Sequence, residues 1–208
     1  EQGHITRVLA GDPLQLRPPA EPSLITIPTG GWMSVEGIAH QQIEQQISEF
    51  RPDIVHLLNP AHIGIAGAHI ARKHSIPYIV TTMDFWWTCP THTLLRDDGS
   101  ICEGNKRWKE CARCIAARSD SLPARVVSRL PILNQSASGA ALMTKAAMSG
   151  VQSDERSRWK NRSALLATTL REAHSVIFPS AATEQLISEQ YSELPGVRIP
   201  YGVEQDWF

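Results

Sequence analysis

The sequence predicts a doubly wound α/β fold built on a parallel sheet. Three observations carry that expectation. Two apolar runs, DIVHLLN (53–59) and IPYIVTT (76–82), lack the alternation of a half-exposed strand and read as strands buried on both faces. Between them, Ala61 to His74 places Ile63, Ala66, Gly67, Ile70 and Ala71 at helical spacing, and its last turn, Arg72-Lys73-His74, is basic, as suits a helix C-terminus. Strand, helix and strand within about thirty residues make a βαβ unit, whose crossover is right-handed and whose strands are parallel.

The other elements follow in chain order. Ile5 to Ala10 (ITRVLA) is a short apolar run, closed by GDP and a proline-rich patch from Pro13 to Pro22. Leu24 to Pro28 (LITIP) alternates like a short strand, and Gly30-Gly31 breaks it. Ser34 to Phe50 reads as a helix striped by Val35, Ile38, Ile43, Ile47 and Phe50. It should stop at Arg51, because a residue before proline disfavours helical geometry and Pro52 follows. Ser153 to Ala173 is a second long helix, capped by Ser153-Asp154, with Trp159, Leu165, Leu166, Leu170 and Ala173 on its apolar face. Ser175 to Pro179 is a third buried strand, Ala182 to Gln190 a short helix, and Val197 to Tyr201 a fourth strand.

One stretch does not belong to this alternation. Asp84 to Cys114, DFWWTCPTHTLLRDDGSICEGNKRWKECARC, holds all 4 cysteines of the chain in the pattern C-x12-C-x8-C-x2-C: Cys89, Cys102, Cys111 and Cys114. Trp86, Trp87 and Trp108 lie there too. It leaves the end of the IPYIVTT strand, the place where an open α/β sheet keeps its ligands. A C-x2-C pair lets two thiolates converge on one metal ion, and Zn2+ takes four sulfurs tetrahedrally. Structural zinc on the four cysteines is the expectation; an iron–sulfur cluster uses the same ligand set, and two disulfides stay open. His92 and His74 are spare ligands.

Composition bounds the function. The formal net charge is −1 and the basic residues are scattered, which excludes the basic face a nucleic-acid partner requires. No run is long and apolar enough to span a bilayer, and no secretory signal opens the chain. The expected location is cytoplasmic. RVVSRLPILNQ (125–135) allows peripheral contact with the inner membrane face, against the alternative of a helical lid packed on its own domain.

The pieces RPDIVHLLNP, IPYIVTTMDFWWTCP, LLRDDGSICEG, CARC, AHSVIFPSAATEQL and RIPYGVE, in that order, resemble the N-terminal domain of GT-B-fold glycosyltransferases of family 4, in the cysteine-bearing subgroup of bacterial polysaccharide assembly. The resemblance runs over roughly residues 45 to 205. It implies a Rossmann-like, acceptor-side domain of a retaining enzyme that moves a sugar from a nucleotide-sugar donor to a glycan or lipid-linked acceptor. The implied layout is a domain over 1–203, with a cysteine-rich insert (84–118) and a helical lid (119–150). Residues 204–208 would begin the linker to a C-terminal donor domain, the chain's natural partner, without which it is expected to be inactive. The run ITRVLAGDP resembles the family's second strand, not its first. The family's histidine before Asp84 is Met83 here, and methionine offers no useful proton.

The candidate site residues lie past strand ends. Asp84 is the candidate for catalysis, as a base or by orienting an acceptor hydroxyl, against a capping role in the next turn. Asn59, His62 and Ser180 follow buried strands and are candidates for substrate binding. Arg96 offers a planar fork to an anionic acceptor, against a surface pair with Asp97 or Asp98. His56, inside a strand, reads as a satisfied core histidine. The competing reading of the whole is a non-catalytic Rossmann-like module that uses a four-cysteine metal or iron–sulfur site for protein interaction or redox sensing.

Overall fold

The structure, a computed structural model, describes residues 3–12, 24–28, 38–60, 63, 65–96, 98–104, 111, 114, 117–118 and 161–202. The chain divides into two compact units: Glu1–Met83 with Ala164–Ala181 and Glu193–Phe208, and Asp84–Ser163 with Ala182–Ser192. The expected lid at 119–150, and residues 204–208, lie outside the described residues.

The first unit is parallel α/β. β1 (Val8–Asp12) and β2 (Leu24–Pro28) pair in parallel, Val8 opposite Leu24. β3 (Val55–Leu57), β4 (Tyr78–Thr81), β5 (Ser175–Phe178) and β6 (Gly196–Arg198) form a second sheet in that order, every neighbouring pair parallel. The Rossmann-like expectation therefore holds, with the described strands in two ladders where one sheet was expected. α1 (Ile38–Phe50) and α2 (Ala66–Lys73) supply the intervening helices, and α3 (Arg162–Arg171) leads into β5. α4 (Ala181–Gln190) follows β5.

The apolar stripe of α1 does what its spacing demands. Ile43 and Ile47, four residues apart, are buried with Ile27 of β2 and with Ala66 and Ile70 of α2. Leu9, Ile25, Val55, Ile63 and Ile76 pack on that cluster, so one core serves strands of both ladders. At about 25 cal/mol per Å2, each such fully buried aliphatic side chain stabilises the fold by about 1.5–3 kcal/mol.

Both helices stop for local reasons. Arg51 turns left-handed (φ 50°) directly before Pro52, its N–H reaching the Ile47 carbonyl at 2.9 Å. α2 ends in a Schellman motif centred on a left-handed Ser75 (φ 57°): Ile76 N–H donates to Ala71 O at 2.8 Å and Ser75 N–H to Arg72 O at 3.0 Å. The basic last turn is held in place, Lys73 by Glu44 of α1 and Arg72 by Glu172.

β4 is the central strand of its sheet with β5, and its residues show it. Tyr78, Val80, Thr81 and the following Thr82 are buried. Tyr78 ends in a polar tip that is satisfied: its hydroxyl donates to Thr169 O of α3 at 2.7 Å, and burial pushes its pKa up to about 12. β6 is shorter than the expected 197–201. Ile199 N–H still reaches Phe178 O at 3.1 Å, but Pro200 has no N–H with which to continue the ladder. β6 also runs close over Phe178: a Cβ on Gly196 would lie 2.5 Å from Phe178 Cε2.

Candidate functional site

In the first unit the candidates sit where strand ends put them. Asn59 is two residues past β3 and Ser180 two residues past β5, both exposed. Past β4, Thr82 is fully buried and fixed to Ile177 O by its backbone N–H (3.0 Å) and its hydroxyl (3.2 Å). Met83 is then 48% exposed, an apolar side chain in water at the carboxyl edge of the sheet. His62 lies outside the described residues. His56 lies 2.7 Å by Nε2 from Thr81 Oγ1 and is satisfied, but it is exposed on the strand and not the core histidine expected; desolvation on that side still lowers its pKa.

The second unit opens at Asp84. Its backbone is extended (φ −141°), and Oδ1 accepts from Trp86 N–H at 2.8 Å, capping a single 3-10 turn over Phe85–Trp87. Oδ2 lies 3.0 Å from Nδ1 of His92. Both carboxylate oxygens are therefore engaged, one by the backbone and one by an imidazole, and the capping role left open by the sequence is occupied. Sequence reasoning had placed His92 only as a spare metal ligand. Nothing in the primary pattern signals an Asp–His contact across eight residues, because the loop between them has no regular period.

That loop is strained and firmly held. His92 (φ 63°) and Leu94 (φ 53°) both take the left-handed conformation that non-glycine residues rarely adopt. His92 N–H donates to Cys89 O at 2.9 Å, and Cys102 N–H donates to Leu94 O at 2.7 Å. Arg118 brackets the same segment, donating to Thr93 Oγ1 at 3.0 Å and Leu95 O at 2.8 Å. A backbone in two costly conformations persists only where its surroundings over-determine it, and here they do.

The second unit also holds a buried polar knot. Trp86 and Trp87 are each 1% exposed and meet edge to face at 5.4 Å. Arg162, 6% exposed at the start of α3, donates to the carbonyls of Trp86 and Trp87, and its guanidinium lies 4.7 Å over the Trp86 ring. Burial pulls the Arg162 pKa down to about 10. The Trp87 carbonyl also takes the Tyr191 hydroxyl at 2.7 Å, and burial pushes that phenol up to about 12. Trp86 and Trp87 thus serve packing. Arg162 and Tyr191, neither marked by any motif, supply the anchoring.

None of the four cysteines is joined in a disulfide. Cys89 and Cys111 are buried, Cys102 and Cys114 partly so. Burial, then the neighbouring Cys89, pushes the Cys111 thiol up to about 12; Cys114 and Cys102 add to this and Arg162 opposes it. Cys111 therefore feels each of the other three. Among the described residues, however, no group of three or more His, Cys, Asp or Glu side chains is disposed to hold a metal ion. Arg96 is half-buried, its guanidinium 3.5 Å from both Ser100 Oγ and Ile101 O, at the isolated bridge between Leu95 and Ile101.

A parallel α/β unit with polar residues past the carboxyl ends of its strands belongs to the class of proteins that bind ligands at that edge. Residues 1–202 match the family described as glycosyl transferase 4-like domain, and the chain belongs to that family. It is a glycosyltransferase module. No curated protein and no solved structure matches the chain. Among the described residues no helix is long and apolar enough to cross a membrane.

Proposed function

We propose that the chain is the acceptor-side domain of a retaining glycosyltransferase. It takes a glycan or lipid-linked acceptor, while a C-terminal partner domain presents the nucleotide-sugar donor. The observation that carries this reading is the family match over residues 1–202. Asp84, three residues past β4, acts at the acceptor hydroxyl in this reading. Asn59, His62 and Ser180 are the substrate-binding candidates of the first unit, and Arg96 of the second is the candidate for an anionic acceptor group. The work is cytoplasmic, with peripheral contact at the inner membrane face where the acceptor carries a lipid.

Structural zinc on Cys89, Cys102, Cys111 and Cys114 is part of the proposal. Its support is the absence of a disulfide among the four cysteines and the placement of Cys111 within electrostatic reach of the other three. Bound zinc would tie the loops of the cysteine segment and add folding energy; it would supply no step of the transfer. Elemental analysis of the chain purified without air reads this directly. About one zinc per chain is expected from a four-thiolate site. A brown protein with iron and sulfide would transfer the site to redox sensing, the competing reading.

The acceptor reading is tested by glycan-array binding of the chain and of Asp84→Ala. Binding by the first and not the second is expected. The chain should transfer sugar from a radiolabelled nucleotide sugar only when the C-terminal partner domain is added. No glycan binding together with no transfer in the pair would overturn the reading.

A further inference from the structure

We infer that His92, positioned by Asp84, is a sugar-binding residue of the acceptor site: Asp84 fixes the ring so that Nε2 accepts a hydrogen bond from an acceptor hydroxyl. The inference rests on the acceptor-side reading above and changes the role of Asp84 within it, from direct contact to positioning.

Four observations lead there. A carboxylate only accepts hydrogen bonds, so the 3.0 Å contact between Asp84 Oδ2 and His92 Nδ1 places the proton on Nδ1. The other ring nitrogen of a neutral imidazole is then an acceptor, and Nε2 makes no hydrogen bond among the described residues. Asp84 cannot swing away without cost, because Oδ1 is committed to Trp86 N–H at 2.8 Å. The ring is not buried for packing: the side chains of His92 and Asp84 are 38% and 33% exposed, open enough for a solute to reach.

The backbone says the same thing. His92 and Leu94 are both held left-handed, and the bonds from Arg118 to Thr93 and Leu95 hold the segment between and beyond them. A loop made only to join two elements has no need of two such residues in three positions. Strain that is held in place at a solvent-facing polar pair marks a preorganised contact. A sugar presents a ring of hydroxyls that donate as readily as they accept, so a bare, oriented Nε2 matches it.

Long-range proton–nitrogen NMR on the chain carrying 15N-histidine tests the inference, with the His92 signals assigned by their loss in His92→Gln. The expected result is a protonated Nδ1 and a bare Nε2 in the wild type, and a mixture of tautomers in Asp84→Asn. The probe is an equimolar mixture of the methyl glycosides of glucose, galactose, mannose and N-acetylglucosamine. It should shift the Nε2 resonance in the wild type, and Asp84→Asn should lose most of that shift. A proton on Nε2 in the wild type would overturn the inference. Saturation transfer from the protein to a glycoside, with Nε2 unmoved, would overturn it while leaving the acceptor-side reading intact. No saturation transfer to any of the four would overturn both.

Discussion

Replacing Arg162 by methionine removes a buried cation from the tryptophan knot while keeping much of its apolar length. The structure sets what that costs. The Trp87 carbonyl keeps the Tyr191 hydroxyl at 2.7 Å, so it stays satisfied. The Trp86 carbonyl loses Arg162, and an orphaned buried acceptor costs about 1–3 kcal/mol. The guanidinium 4.7 Å above the Trp86 ring contributes about 1–2 kcal/mol more in a desolvated setting. Against both stands the dehydration of a charge that is 6% exposed, part of which an apolar replacement recovers. The net expectation is a loss of about 2 kcal/mol, or a fall in Tm of roughly 4–8 °C for a chain of this size. Thermal unfolding followed by tryptophan fluorescence measures it, since Trp86 and Trp87 report from within the knot. Arg162→Lys should recover less than half, because an ammonium cannot serve two carbonyls and a ring with one planar fork. A change below about 0.5 kcal/mol, or a gain, would refute the reasoning by showing that dehydration outweighs the contacts.

Two further outcomes follow from the first unit. Gly196→Ala puts a methyl group 2.5 Å from Phe178 Cε2, and overpacking of this kind costs about 1–3 kcal/mol in urea unfolding. Phe178→Leu in the same chain should relieve part of that cost, whereas additive losses would show that the two do not meet. His56 gives a pH dependence: burial lowers its pKa, so the fold favours the neutral ring. That contribution is fully present above the unfolded value of about 6.5 and is lost as pH falls below it. The stability advantage of wild type over His56→Gln should therefore shrink between about pH 7.5 and about pH 5, and an advantage that grows in acid would contradict the assignment.

The strands were legible because a strand buried on both faces leaves a contiguous mark. IPYIVTT is apolar at nearly every position, and four of its residues are buried in β4 and just past it. Helix ends were legible where a backbone rule is local, as at Arg51-Pro52. Boundaries slipped where the rule is not local. The fourth strand stops at Arg198 because its partner Phe178 ends β5 and Pro200 has no donor, and the apolar run RIPYGV carries no sign of the first condition. The division of the described strands into two ladders was not legible either, since pairing is a relation between distant segments that no window of sequence contains.

The site divides along the same line. Asp84 was found because it follows a strand, and that is a property of its neighbours in sequence. What Asp84 does was not found, because its second oxygen is engaged by a histidine that reaches it only through a left-handed backbone at His92. Arg162 escaped for a stronger form of the same reason. It lies 76 residues from the Trp86 carbonyl it serves, at the head of a helix where a polar residue looks ordinary. A helix start, read locally, gives an arginine every reason to point into water. Only the tertiary fold makes it a buried cation, because the Phe85–Trp87 turn presents ring and carbonyls to one guanidinium. Residues whose role is to bond a distant backbone carbonyl leave no period, spacing or partner motif in the sequence.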